Sequence, residues 1–179
     1  MLDPLLGINS SNRLVVISKI PGGGTMINHQ QAEVFVDGIT RFFKHLDPND
    51  DSSKDSLEIG APFLLDYDDE TGLDYTGSIA VSGNDHGNIF FSASSCLLKT
   101  ILLSYGISKL TKSKHRDIVG EVANTIAGNA RKELGSNFLI STPKVIDGSL
   151  RTEHYDTRHR SYVLPLRWKN KNARLIVNI

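Results

Sequence analysis

The segment DIVGEVANTIAGNARKELG, residues 117–135, constrains the fold more than any other part of the sequence. At 3.6 residues per turn its apolar side chains fill about half of the helix circumference, which predicts an amphipathic helix packed on a core. The residues predicted to be buried are Ile118, Val119, Val122, Ala123, Ile126, Ala127, Ala130 and Leu134. Small side chains at the centre of this face allow close packing against the layer beneath.

The opposite face of the same helix carries Asp117, Glu121, Asn124 and Gly128 within about 60° of one another. Glu121 and Asn124 are neighbours because they lie three residues apart. A glycine inside a helix costs about 1 kcal/mol relative to alanine, so Gly128 indicates that another molecule comes close there. We predict a docking surface. A solvated face without function stays open as the alternative, because Glu-x-x-Asn is common on helices.

The pair formed by Glu121 and Asn124 has a definite chemical use. A carboxamide has a donor and an acceptor, so it can hold and orient a water molecule without a pKa near 7. A carboxylate can pair with a cation of the docked partner and fix its register. This combination suits hydrolysis of a phosphoryl group that a metal-bound site on the partner already activates, because positioning then supplies most of the catalysis.

Composition narrows the class of protein. Lys plus Arg and Asp plus Glu both number 20 in 179 residues, and this balance argues against nucleic acid as the main partner. No apolar run approaches the roughly 20 residues that a bilayer crossing needs, so we predict no membrane insertion. The single cysteine, Cys96, excludes an internal disulfide and fits a reducing compartment; we expect it to be buried. We predict a cytoplasmic protein.

The rest of the chain predicts an α+β fold, a mostly antiparallel sheet with helices packed on one face. Helical periodicity begins near residue 31 and returns after Ser94 or Ser95, either of which can cap a helix. A basic loop, residues 109–116, is expected between the second helix and the third. The predicted strands are residues 57–67, 76–83, 87–94, 143–148, 161–168 and 173–179. The first three are expected to be antiparallel neighbours.

The first 30 residues look separate from the domain predicted for residues 31–179. The segment PGGGT is typical of a flexible joint, and Met26 follows it directly. We hypothesise that translation starts at Met26, because a purine-rich ribosome-binding site would read as Gly-Gly-Gly-Thr if it were translated. N-terminal sequencing of the native protein would decide this. Two further polar stretches, residues 47–56 and 149–160, are predicted to be loops.

The segment DIVGEVANTIAGNARKEL resembles the signature helix of the CheC/CheX/FliY family of chemotaxis phosphatases. The family pattern, an acid or serine followed by Glu, Asn and a later proline, matches Asp117, Glu121, Asn124 and Pro143. The surrounding segments GAPF, TGSIAVSG and STPKVIDG are also similar, so the resemblance extends over residues 31–179. No second helix carries a matching asparagine, which resembles the CheX branch.

The resemblance implies an activity, a partner and site residues. Members of this family dephosphorylate the aspartyl-phosphate of a CheY-like response regulator. Asn124 would orient the attacking water and Glu121 would pair with the regulator's lysine, with Asp117 and Gly128 contacting the partner. The protein would need no cofactor of its own, because the regulator supplies Mg²⁺. The resemblance also implies a homodimer joined at sheet edges, for which residues 161–179 are the candidates.

Other interpretations of the sequence are kept open. The chain could be a non-catalytic adaptor that binds a response regulator, or a scaffold subunit of a flagellar or chemotaxis assembly. The stretch EHYDTRH contains metal-ligand types, but their spacing matches no metal signature, so we predict no metal site. These ligand types are Glu153, His154, Asp156 and His159.

Overall fold

The computed structural model describes residues 27–48, 56–65 and 71–179, together with two short strands near the N-terminus. Met26 and most of the predicted N-terminal extension lie outside the described residues. The helices are α1 (His29–Leu46), α2 (Ser95–Ser104) and α3 (Lys112–Leu134). The strands are β1 (Gly7–Ile8), β2 (Leu14–Val15), β3 (Glu58–Ile59), β4 (Phe63–Leu65), β5 (Tyr75–Gly83), β6 (Gly87–Ala93), β7 (Phe138–Ile140), β8 (Lys144–Asp147), β9 (Ser161–Trp168) and β10 (Lys171–Asn178).

The predicted α+β fold is confirmed. β1 and β2 pair with each other, and the other eight strands form one antiparallel sheet in the order β3-β9-β10-β6-β5-β7. β4 also pairs with β9, and β8 also pairs with β5. The three helices share one hydrophobic core with a single face of this sheet. Every second residue of the central strands points into that core, as the strand period of two requires.

The hairpin β5–β6 and the helix that follows it are as predicted. Ile79 lies opposite Ile89 in the hairpin, and both side chains are fully buried. Ser94 caps α2, its hydroxyl accepting a hydrogen bond from the Leu97 N–H at 3.3 Å. The Asp74 carboxylate accepts two further bonds from Ser95, from its hydroxyl at 2.6 Å and its N–H at 2.7 Å. These bonds lower the pKa of Asp74.

The predicted strand at residues 57–67 is two strands, and the neighbour predicted for it is wrong. β3 and β4 are separated by Gly60, Ala61 and Pro62, and both pair with β9 instead of β5. Pro62 has no N–H for a sheet ladder, so the strand breaks there. The Gly60 N–H bonds the Pro165 carbonyl at 2.9 Å, which holds the break against β9.

The final hairpin, β9–β10, forms as predicted but does not lie at a sheet edge. β10 lies between β9 and β6, and β9 is covered on its other side by β3 and β4. Lys169 and Asn170 have φ of 48° and 59°, the left-handed conformation that a two-residue hairpin turn requires. Trp168 is 1% exposed and packs against Phe43 with ring centroids 5.2 Å apart. The proposed edge role of residues 161–179 is therefore wrong.

The second face of the sheet has its own small core, and the polar stretch 149–160 covers it. The buried residues there are Leu65, Phe90, Leu150, Tyr155, Val163 and Ile176. Asn178 anchors the loop: its carboxamide accepts from the Asp156 N–H at 2.7 Å and donates to the Asp156 and His159 carbonyls at 3.1 Å. The loop therefore lies on the face opposite the helices.

Two smaller findings concern Cys96 and β7. Cys96 is exposed, so its predicted burial is wrong; it follows the first residue of α2, whose inward positions are Leu97 and Leu98. β7 is a strand that the sequence did not predict.

Among the described ranges, no helix combines the length and apolar character that a membrane crossing needs. The same ranges contain no group of three or more His, Cys, Asp or Glu side chains placed to hold a metal.

Candidate functional site

The helix that carries the predicted site is longer than the sequence pattern indicated. α3 begins at Lys112, where the Thr111 hydroxyl accepts a hydrogen bond from the Lys114 N–H at 3.2 Å. Residues 112–116, predicted as part of a loop, are therefore helical, because Thr111 supplies the N-cap earlier in the chain. Gly135 ends the helix with φ of 97°. The buried face is as predicted, with Gly120 as an added member and Leu134 only partly buried.

Glycines at two crossings fix the position of α3. A Cβ at Gly77 of β5 would lie 2.5 Å from the Val119 carbonyl oxygen and 2.8 Å from the Ala123 Cβ. The backbone of the helix thus rests directly on β5. On the other side, a Cβ at Gly38 of α1 would meet the Ile126 carbonyl oxygen at 3.4 Å. Neither contact was predicted from the sequence; the one signal for the first was a glycine inside a strand pattern.

The four predicted site residues do form one stripe on the outer face of α3. Asp117 and Glu121 are exposed, and Asn124 and Gly128 are half-buried. Within the described part of the chain, the side chains of Asp117, Glu121 and Asn124 make no hydrogen bond or ion pair. A carboxylate and a carboxamide one turn apart therefore keep their full bonding capacity for another molecule.

The residues before the stripe are paired within the protein. Lys112 Nζ lies 3.2 Å from Asp147 Oδ2, and the Arg116 guanidinium donates to the other carboxylate oxygen. Burial acts to raise the pKa of Asp147, but the hydrogen bond from Lys112 and the charge of Arg116 together lower it. Asp147 ends β8, so these pairs tie the start of α3 to the sheet.

The connection between β7 and β8 lies beside the stripe. A Cβ at Gly120 would lie 3.5 Å from the Pro143 Cβ, so this proline packs against the helix next to Glu121. Asn124 follows Gly120 by one helical turn and is half-buried, so it lies where the buried face meets the stripe. The connection is held by Ser141, which exchanges two 2.9 Å hydrogen bonds with the backbone of Ala80. The fold thus places Pro143 beside the predicted stripe.

Gly128 faces open space. No atom of the described chain lies within 4 Å of where its Cβ would be. Packing inside the protein therefore gives no reason for a glycine at this position, in contrast to Gly77. The cost of a helical glycine is then unexplained unless a second molecule needs the space.

Comparison with known proteins identifies a family whose members share this fold. A family model described as "Chemotaxis phosphatase CheX" matches residues 75–167, which contain the whole of α3. A putative chemotaxis protein from Desulfovibrio vulgaris Hildenborough superposes with a TM-score of 0.68 at 20% identity, covering 85% of this chain and 97% of its own. CheX from Desulfovibrio desulfuricans gives 0.67 at 21% identity, covering 82% and 97%.

A third similar structure is a complex. The CheX–CheY–BeF3–Mg²⁺ complex from Borrelia burgdorferi matches with a TM-score of 0.65 at 18% identity, covering 83% of this chain and 96% of that one. At such identities these structures show the shared fold. No curated protein sequence matches the chain significantly. The family model, however, spans more than half of the 179 residues, and the chain therefore belongs to the CheX family of chemotaxis phosphatases.

Proposed function

We propose that this protein hydrolyses the aspartyl-phosphate of a CheY-like response regulator in the cytoplasm. One observation carries the proposal: the Glu121 carboxylate and the Asn124 carboxamide lie together on the outer face of α3 and pair with no described residue. The complex of a similar protein with CheY, BeF3 and Mg²⁺ supports a regulator as the partner. Membership in a phosphatase family supports hydrolysis.

The chemistry assigned to each residue follows from its functional group. The Asn124 carboxamide holds a water molecule in line with the phosphoryl group. The water oxygen bonds to phosphorus as the bond to the aspartyl oxygen breaks, giving inorganic phosphate and a free carboxylate. Glu121 pairs with a lysine of the regulator, and Asp117 and Gly128 contact the regulator beside it. Mg²⁺ belongs to the regulator, where it offsets the charge of the phosphoryl oxygens.

The way α3 is held suits this role. Water positioning is sensitive to small displacements, and a shift of about 1 Å can lower a rate 100-fold. α3 is held at three points along its length by Gly77, Gly38 and Pro143. Half-burial limits the conformations of Asn124, so the carboxamide is partly ordered before the regulator docks.

Phosphate release tests the proposal directly. A Mg²⁺-loaded, phosphorylated response regulator from the same cell is mixed with this protein. The protein is present at about one-twentieth of the regulator's concentration, so that complete release requires many turnovers of each molecule. We expect phosphate to be released faster than the regulator loses it alone, and we expect release to continue until all the phosphate is free. Binding without acceleration would instead support the adaptor, and a persistent stoichiometric complex would support the scaffold.

Gly128 gives a test of the docking surface alone. Gly128→Leu should leave the melting temperature unchanged or higher, because the position is open and leucine favours helices. The same change should weaken binding of a regulator carrying BeF3 and Mg²⁺ by about tenfold or more, since a bulky side chain then stands between the two proteins. Isothermal titration measures the binding, and Gly128→Ala should weaken it less. Unaltered binding by the leucine variant would place the regulator elsewhere.

The proposal includes a homodimer, as the family resemblance implies. Because β9 and β10 are internal, a joint between sheets would have to use β3 or β4 at one end of the described sheet, or β7 or β8 at the other. β4 and β7 each expose a large apolar side chain, Phe63 at 42% and Leu139 at 46%. Either edge is therefore suited to a second copy of the chain.

A further inference from the structure

The outer stripe of α3 continues past Gly128 into an open groove. The groove has a volume of about 390 Å³ and is lined by Gly128, Arg131, Lys132, Gly135, Ser136 and Ile140. Gly128 belongs both to the stripe and to the groove, so a molecule docked on Glu121 and Asn124 reaches the groove without a gap. Gly135 leaves the far end open, since no atom of a described residue lies within 4 Å of its Cβ position.

The charges of the groove are all of one sign. Arg131 and Lys132 are exposed, and neither makes a hydrogen bond or ion pair with any described residue. The neighbouring acid, Glu133, is already paired with Arg41 of α1 at 3.0 Å. Among the residues that the structure describes, no acidic side chain lines the groove. Two cations are therefore left available to a binding partner.

A simpler explanation for these cations is the dipole of α3. Basic residues in the last turn of a helix stabilise its dipole by about 0.3–1 kcal/mol each. That effect needs neither a concave surface nor continuity with the stripe, and both are present here. The same dipole argues against a small anion, because the helix carbonyls place partial negative charge at this end. Long side chains such as Arg131 and Lys132 can instead reach carboxylates on a protein surface.

The charges along the stripe also have a direction. Asp117 and Glu121 are acidic, and Arg131 and Lys132 follow after a neutral stretch. From residue 121 to residue 131 the rise of the helix is about 15 Å. A complementary partner presents a cation at one point of its surface and acids about 15 Å away.

We propose that the groove receives an acidic segment of the docked response regulator, and that Arg131 and Lys132 set the orientation and choice of regulator. This inference rests on the proposed function, because the regulator is its occupant. Glu121 pairs with the regulator's cation and the groove binds its acids. The two contacts together fix the direction in which the regulator lies along α3.

A charge reversal tests this inference. The double variant Arg131→Glu/Lys132→Glu should weaken binding of a regulator carrying BeF3 and Mg²⁺ by about tenfold at low salt, and much less at high salt. The rate of phosphate release at saturating regulator should stay within about twofold, because interactions made equally before and during the reaction change affinity alone. The matched control is Lys99→Glu, on the exposed side of α2, which should bind normally.

Two further variants keep the test decisive. Arg131→Gln/Lys132→Gln introduces no repulsion and should still lose several-fold in affinity, whereas Arg131→Lys/Lys132→Arg keeps both positive charges and should bind normally. Unchanged affinity in the reversal variant would overturn the inference. So would inhibition of the wild type by inorganic phosphate that the reversal abolishes, because the groove would then bind a free anion.

The outcomes separate this inference from the proposed function. If the wild type binds a regulator without accelerating hydrolysis, the phosphatase proposal fails and the titrations still decide the role of the groove. If the wild type releases phosphate over many turnovers and the charge reversal leaves affinity unchanged, the phosphatase proposal stands and only the role of the groove is wrong.

Discussion

Asn124→Ala should lower phosphate release at saturating regulator by about 100-fold or more, the size of effect expected when a positioned reactant is lost. The alanine removes the carboxamide that holds the water, while Glu121, Gly128 and the groove remain. Affinity for a regulator carrying BeF3 and Mg²⁺ should change by no more than about threefold, because the water contributes little to docking. Single-turnover phosphate release and isothermal titration measure the two quantities separately.

The control for this variant is Thr125→Ala, the next residue along the exposed side of α3. It should keep both rate and affinity, and its effect on helix propensity is similarly small. An Asn124→Ala protein that loses affinity and rate to the same extent would contradict the assigned role, since Asn124 would then be a docking residue. Full turnover in that variant would place the positioning group elsewhere.

Gly77→Ala should destabilise the fold by about 3 kcal/mol, at the upper end of overpacking effects. The new methyl group would lie 2.5 Å from the Val119 carbonyl oxygen, a backbone atom that cannot rotate away. β-propensity alone gives the opposite sign, because glycine weakens the interior of a strand. Thermal or urea unfolding measures the change, and the melting temperature should fall by about 10 °C.

Gly128→Ala is the matched control for Gly77→Ala, because it makes the same chemical change on α3 at an open position. It should stabilise the protein by up to about 1 kcal/mol. The fraction of Gly77→Ala that remains folded should also release phosphate more slowly, since α3 must move outward to admit the methyl group. Equal stability of the two alanine variants would show that α3 does not rest on β5 as closely as the distances indicate.

The local pattern of the sequence was sufficient for the helix that carries the site. The 3.6-residue periodicity separates a buried face from the stripe of Asp117, Glu121, Asn124 and Gly128, and the structure keeps that division. The Ser94 cap and the β5–β6 hairpin were predictable for the same reason. Each depends on residues close together in the chain, whose geometry is fixed by backbone sterics and a single hydrogen-bond pattern. The catalytic roles of Glu121 and Asn124 stay predictions.

Local pattern failed where a residue's neighbour comes from far along the chain. Residues 57–67 have the composition of one strand, yet they form β3 and β4 and pair with β9 about 100 positions later. Cysteine is a residue type typical of the protein interior, yet Cys96 is exposed. Strand pairing and burial depend on which surfaces meet after the chain has folded, and propensity contains no information about that.

The sequence by itself determined the helices, the final hairpin and the stripe of α3, because short-range periodicity and capping specify them. The tertiary structure alone decided the strand order, which buries β10 and removes residues 161–179 from the sheet edge. It also decided that Gly77 lets α3 rest on β5 and that Pro143 stands beside the stripe. These contacts join residues on different elements, and only close packing of the layers brings them together.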